Sequence, residues 1–394
     1  MMRNMVNVSR EFHPVGHGAF FTERFQERGN DDIIVVYDCG CKSKIEEQVL
    51  KQEVDNYFSE GEKINILFLS HFDSDHVNGI KYLMPYLDNN TRLLMPFSYE
   101  YFYLTEDSPI LYYMGQTINL IERNGLSLKQ YWVRYTAKNQ SDGLTDYREL
   151  AGPMVDSGTP MGALYSPESQ SRFKWMYVPF NLNNDIKYKR QFEADVLSEL
   201  AKRPGEMTAT ELDENAITKL RNIYKRIGVH DTNTPVAATN AANGSKNINE
   251  NSLIVLSKAT SYDCVQYLDA YLPLRLNVIP RCREIYDGSC LYTGDANLKS
   301  GKVKLKLKRL VEPYVGNRPI YLFQLPHHGS RQYYSKQLLS DNTLFAYLFV
   351  NCGDYDFLQT SFPKLLADIV ATGRNMWMVT SKGHSRFEQK ILLR

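Results

Sequence analysis

The sequence predicts a layered α/β core. Short β-branched apolar runs alternate with stretches of helical periodicity at both ends of the chain, and several runs stop at polar turns rich in ligand-type side chains. Residues 33–37 and 64–69 read as two buried strands, the first ending in Asp38-Cys39-Gly40 and the second at a polar run that starts with His71. Residues 80–87 carry apolar side chains at helical spacing, so the polar run becomes a strand-to-helix connection, where α/β proteins place their chemistry. The grammar returns after residue 249. Strands over 252–256, 290–293 and 320–325 are expected, the last two stopping at Gly294-Asp295 and Pro326-His327-His328-Gly329. A strand over 344–350, a helix over 363–372 with Pro363 in its first turn and Gly373 past its end, and a strand over 376–380 complete the series.

Between these halves the pattern changes. Residues 96–113 are crowded with aromatics, which either pack in a core or interface or stack bases. Residues 191–203 and 211–227 read as helices, the second with a capping box in Thr208 and Glu211. Residues 229–248 are small and polar and are expected to form a mobile loop.

Bulk properties exclude several classes. Apolar residues make up 43% of the 394 and charged residues 23%, an ordinary globular composition with net charge +1, so attraction to nucleic acid must come from a local patch. No stretch reaches the roughly 18 apolar residues of a membrane span, and the first ten residues do not resemble a signal peptide, which points to a cytoplasmic protein without membrane partners. The six cysteines form no paired CxxC spacing. Cys39 and Cys41 therefore read as structural reduced thiols and not as a metal hook.

Four metal-competent side chains, His71, Asp73, Asp75 and His76, fall within six positions of one turn. In an extended loop residues two apart face similar sides, which assigns His71 and Asp73 to one ion and Asp75 and His76 to another. The bland reading, aspartates capping the next helix, accounts for one carboxylate and not for the set. Asp295 supplies a carboxylate able to bridge two divalent ions, and His327 or His328 an imidazole to close the second shell.

The order of these motifs resembles the metallo-β-lactamase superfamily, and within it the hydrolase domain of the bacterial DNA-uptake protein ComEC and its stand-alone relatives. The likeness is carried by Val15-Gly16-His17-Gly18-Ala19, Asp38-Cys39-Gly40, the run from His71 to His76 with Gly79, Asn249-Glu250-Asn251-Ser252-Leu253, Thr293-Gly294-Asp295 and Pro326-His327-His328-Gly329-Ser330. His17 stands where that family usually has glutamine, and Phe362-Pro363 where it has a later His-Pro. The resemblance implies a four-layer αβ/βα sandwich, with 1–85 and 249–394 as the two halves of the core and 86–248 as a long, largely helical insertion.

It also implies hydrolysis by metal-activated water. Asp73 replaces a histidine of the β-lactamases, so the oxygen-rich site suits manganese or magnesium beside zinc. Asp75 is expected to bind metal and orient the water, with His328 beside it in the chemistry. Asn251, Ser330 and Lys302 are expected near substrate oxygens, and Asp38 to support the loop by hydrogen bonds from behind. His230, the only histidine of the middle segment, falls in the expected mobile loop, which leaves the first ion without an obvious third-motif ligand.

The favoured activity is that of a nuclease or phosphodiesterase. The basic run 299–309 either guides a phosphate backbone or forms an exposed strand with a solvated lysine face. The alternatives are a small-molecule phosphoester or ester hydrolase, and a metal-stabilised interaction protein. Stand-alone relatives suggest a role in bacterial defence beside an NTPase partner.

Overall fold

The computed structural model describes residues 5–96, 117, 120–134, 154–162, 174–182, 194–195, 198–199, 201, 215, 219, 252–260, 265–271, 288–299, 301–341, 344–353, 361–374 and 376–393. In chain order its elements are β1 (Val6–Phe12), β2 (Gly18–Glu27), β3 (Ile33–Cys41), α1 (Lys44–Tyr57), β4 (Ile64–Phe68), α2 (Ser74–Val77), α3 (Ile80–Leu83), β5 (Arg92–Pro96), β6 (Lys129–Arg134), β7 (Met154–Asp156), β8 (Met161–Gly162) and β9 (Trp175–Asn181). There follow β10 (Leu253–Ala259), β11 (Val265–Tyr271), β12 (Cys290–Tyr292), α4 (Gly301–Val315), β13 (Ile320–Gln324), α5 (Lys336–Leu339), β14 (Phe345–Asn351), α6 (Ser361–Thr372), β15 (Met376–Val379) and β16 (Phe387–Leu393).

Among the described residues the strands form two sheets. One has the order β11-β16-β1-β2-β3-β4-β5-β6-β7, the other β15-β14-β13-β12-β10-β9-β8. β3 to β7 are parallel neighbours in the first sheet and β12 to β15 in the second, with antiparallel pairs completing each. Every residue of β3 is buried, as expected of a strand covered on both faces, whose sequence is a continuous apolar run.

Three apolar clusters define the layers. Phe21, Val35, Phe68, Tyr292, Tyr321 and Phe349 meet between the sheets. Leu50 and Val54 of α1 and Ile80 and Leu83 of α3 cover the outer face of the first sheet. Leu307 and Val311 of α4, Leu338 of α5 and Leu365 and Ile369 of α6 cover that of the second. This is the αβ/βα sandwich expected. No helix among the described residues is long and apolar enough to cross a membrane.

Two expectations need correction. Strands β5 to β9 lie within 86–248, so the segment expected as an insertion supplies strands to both sheets. The expected mobile loop 229–248 lies outside the described residues, as does the aromatic run from Phe97 to Tyr113. The basic run, expected as a possible edge strand, is the helix α4. Its alternation hides a helical stripe: Leu307, Val311 and Val315 are buried at i, i+4 spacing, while Leu305, which a strand would place with Leu307, is 54% exposed.

A buried charge cluster ties the sheets together away from their ligand-bearing ends. Arg10 of β1 has no exposed surface; its Nε donates to Glu23 Oε1 of β2 at 2.7 Å and its Nη1 to Gly288 O at 2.8 Å and to the Gln389 side chain. From the other sheet, the Glu23 carboxylate accepts from Tyr177 OH at 2.5 Å, Ser257 Oγ at 2.7 Å and Tyr292 OH at 2.8 Å. Truncating one partner of such a pair leaves an uncompensated buried charge. Glu23→Ala is therefore expected to destabilise the fold by about 3–5 kcal/mol in urea unfolding, and a loss under about 1 kcal/mol would show that the pair does not hold the sheets together.

Candidate metal centre

Parallel strands carry their C-terminal ends to one edge of the sandwich. Asp38 lies near the end of β3, the His71 motif follows β4, Asp295 follows β12, and His327 and His328 follow β13. Backbone bonds stitch these ends together: Leu253 N–H donates to Ser70 O at 2.6 Å and His327 N–H to Gly294 O at 3.2 Å. Gln324 Oε1 accepts from the N–H groups of Thr293 and Gly294, at 2.8 and 3.1 Å, and Ser252 Oγ accepts from Asp295 N–H at 3.1 Å. The turn bearing Asp295 is thus held from both sides.

The motif is not an extended loop throughout. It becomes helical at Ser74, with His76 N–H donating to Asp73 O at 2.9 Å and Asn78 N–H to Ser74 O at 2.9 Å. Successive helical residues turn by about 100°, so the pairing expected from an extended loop changes. His76 joins His71 on Asp295, while Asp75 faces His328 and His17. Asp73 occupies the N-cap position, yet its side chain makes no cap hydrogen bond, which leaves the carboxylate to the site. Gly40 permits the close approach of this turn to β3, since a Cβ there would stand 2.4 Å from the carbonyl carbon of Asp75.

Behind the ligands sits the buried carboxylate of Asp38, on a backbone with φ 55°. It accepts from Ser70 N–H and Ser70 Oγ, both at 2.6 Å, and from His76 Nδ1 at 2.8 Å. Ser70 Oγ, its proton committed to Asp38, accepts from His71 Nδ1 at 2.9 Å. His328 Nδ1 donates to Asn351 O at 3.2 Å. Each imidazole is thereby anchored through Nδ1 and turns Nε2 inward, the arrangement that orients histidines for metal. The buried Nε2 atoms of His71, His76 and His328 and Oδ1 of Asp295 make no hydrogen bond.

Their spacing fits ions. Tetrahedral coordination with bonds of about 2.1 Å sets neighbouring ligand atoms about 3.4 Å apart, beyond hydrogen-bond contact. Asp295 Oδ1 lies 3.3 Å from His76 Nε2 and 3.9 Å from His328 Nε2; Asp295 Oδ2 lies 3.7 Å from His71 Nε2 and 3.8 Å from His327 Nδ1. Oδ1 thus faces His76 and His328, and Oδ2 faces His71 and, at the rim, His327. Asp73 Oδ2 is 3.8 Å from His71 Nε2, and Asp75 Oδ2 is 3.4 Å from His328 Nε2 and 3.5 Å from His17 Nε2. The buried donors around Asp295, without hydrogen bonds and at this spacing, fit divalent metal.

The structure separates the two histidines left open by the sequence. His328 is buried with Nε2 in the group of Asp75, whereas the His327 ring lies at the rim, its side chain 24% exposed and its ring tilted by 52° against that of Tyr333 at 3.9 Å. Ser330 closes the turn through its N–H to His327 O at 2.8 Å. Lys302 lies in the first turn of α4 with its side chain outside the described portion, and Asn251 and His230 lie outside the described residues. Cys39 and Cys41 are buried structural thiols; burial pushes Cys41 up to about 12, and it faces Ser43 O and Asn78. Three contributors were given no role from sequence: His17, whose one signal is an imidazole inside a glycine-rich turn; Ser252, which was visible only as part of the Asn249–Leu253 motif; and Ser70, which carries no distinguishing pattern.

Burial, with the charge of His76, pulls His71 down to about 3, so its imidazole is neutral and ready to ligate. Burial also works against a charged His76, but Asp295 and Asp38 overcome it and hold the group well above the ordinary histidine value. Burial, reinforced by the carboxylates of Asp75 and Asp295, pushes Asp73 up to about 7.

No protein-family model matches the chain, and no curated protein does. Among solved structures, zinc-bound PqqB from Methylobacterium extorquens is similar at 9% identity over 90% of this chain and 84% of its own, with a TM-score of 0.38. A long-form RNase Z from yeast is similar at 9% identity over 96% of this chain but 36% of its own, with a TM-score of 0.30. Likenesses this distant say nothing of activity, and the centre is read from its own geometry.

A metal ion held by Asp73 requires that carboxylate ionised, and one held by His76 Nε2 would displace its proton. Affinity is therefore highest above about pH 7 and falls as pH drops and Asp73 protonates. Calorimetric titration with Zn²⁺ or Mn²⁺ at pH 8 and pH 6 is expected to show at least about a tenfold loss at the lower pH, with proton release on binding. An affinity flat across that interval would contradict the assignment.

Proposed function

We propose that the protein is a metal-dependent hydrolase that cleaves phosphodiester bonds, as a nuclease or phosphodiesterase. The observation that carries this reading is the set of inward-turned imidazoles around the two oxygens of Asp295, at ligand spacing and without hydrogen bonds. When bound, a pair of divalent ions supplies an acidified water and neutralises charge on the attacked group. The side chains of this chain hold and orient. Asp295 spans both halves of the centre, Asp75 stands on the more open side to align a water proton, and Asp38 and Ser70 keep the imidazoles from turning. His327, exposed at the rim, is placed to meet substrate oxygens.

Two features favour phosphodiesters over neutral substrates. The carboxylates of Asp73, Asp75 and Asp295 make the donor set oxygen-rich, which suits manganese and magnesium as well as zinc. The loops that leave the centre also run into a basic cavity of about 500 Å³, lined by Lys299, Arg331 and Lys336. Arg331 Nε and Lys336 Nζ share the buried Asp368 carboxylate at 3.1 and 3.0 Å, so three cations face one acid. An anionic group such as a phosphate fits that imbalance. The narrower likeness to the ComEC hydrolase belongs to this proposal.

With manganese or zinc, the chain is expected to cleave DNA or a small phosphodiester, and Asp75→Ala to lose at least about 1,000-fold, equivalent to about 4 kcal/mol of barrier. No cleavage by the wild-type chain with any divalent metal would sink the proposal. For a nucleic-acid substrate, binding is expected to weaken steeply with salt, and the paired change Lys299→Glu and Arg331→Glu to lower the salt slope by about one for each phosphate no longer neutralised. Turnover of small phosphodiesters unaffected by salt, with no binding of DNA, would instead identify a small-molecule hydrolase.

A further inference from the structure

We infer that His17 is a protein ligand of the ion held by Asp75 and His328, an inference that rests on the two-ion reading above. His17 sits in the glycine-rich turn joining β1 to β2, far in sequence from the other donors. The ligand atoms of His17, Asp75 and His328 all lie within 4.8 Å of one another. Both imidazole Nε2 atoms approach the same oxygen, Asp75 Oδ2, at 3.5 and 3.4 Å, and the two rings are 4.0 Å apart. A histidine present only to pair with Asp75 would close to hydrogen-bond distance, about 2.7–3.2 Å. Instead both nitrogens stand off at the edge length of a tetrahedron built on bonds of about 2.1 Å.

Two further observations point to a ligand. His328 Nε2 is buried without a hydrogen bond and is aimed at the same point. The backbone of His17 is also fixed by separate elements. Its N–H donates at 2.9 Å to Glu46 Oε1, whose other oxygen closes the capping box of α1 with Ser43. Gly353, two residues beyond β14, packs directly on it, since a Cβ there would stand 3.0 Å from His17 Cβ and 2.6 Å from Glu46 Oε1. A side chain needed only to face water requires no such placement. His17 thus gives the Asp75 side of the centre a second imidazole, independent of the middle segment.

The test is metal stoichiometry and affinity, measured by elemental analysis after dialysis and by calorimetric titration with Zn²⁺ or Mn²⁺, on wild type, His17→Ala and His17→Phe. Melting of the chelated proteins checks that the variants fold. Wild type is expected to hold two ions per chain. Both variants should keep one ion at wild-type affinity and bind the second at least about 100-fold more weakly. His17→Phe preserves a ring against His328 but offers no donor, so retention of the second ion in that variant would assign His17 to packing and overturn the inference. Two ions at wild-type affinity in His17→Ala would overturn it while leaving the two-ion reading intact. Wild type holding fewer than two ions would overturn both.

Discussion

The carboxylate of Asp38 lies fully buried at the end of a strand covered on both faces, and it binds the backbone and hydroxyl of Ser70 and the Nδ1 of His76 together. Buried charge of this kind is costly unless every oxygen is engaged, and here three donors engage it. Through Ser70 the same carboxylate sets the orientation of His71. Without Asp38 the two imidazoles have no reason to present Nε2 toward Asp295, and the motif reverts to a polar turn before a short helix. The left-handed backbone at Asp38, with φ 55°, is a local strain offset by those hydrogen bonds, as at other sites where geometry serves function.

The sandwich explains why the donors meet. Each parallel strand delivers its following loop to the same edge, so segments around 38, 71, 295 and 328 converge although they are far apart in sequence. Helix packing on the outer faces and the Arg10–Glu23 cluster between the sheets hold the two halves in register, and the centre inherits that rigidity. A site split over two sheets needs such support, because displacement of one sheet by an ångström would separate Asp295 from His71.

Much of this was legible in the sequence, for physical reasons. Largely buried strands such as β3, β4, β13 and β14 write themselves as short apolar runs, and ligands at strand ends stand out as polar clusters beside them. Short local preferences were harder to read. The helical turn at Ser74 is only four residues long, and it redirected Asp75 away from His76. A charged residue, Arg10, at an inward position of β1 breaks its apolar alternation, which hid the first strand, and the lysines of α4 mimic strand alternation while the buried stripe runs at helical spacing. Strands β5 to β9 lie among polar and aromatic stretches whose membership of the sheets depends on partners remote in sequence. His17 was visible as an oddity in a glycine-rich turn, but nothing local said that it would face Asp75.

As proposed, Asp295 lies between two ions inside a cage of imidazoles oriented from behind. Anomalous diffraction from crystals grown with Mn²⁺ or Zn²⁺, recorded on both sides of the metal edge, would locate them. Two anomalous peaks are expected, one on each side of the Asp295 carboxylate, the first beside His71 and the second beside His328. Crystals without an anomalous peak at Asp295, or with metal bound only elsewhere on the chain, would contradict it.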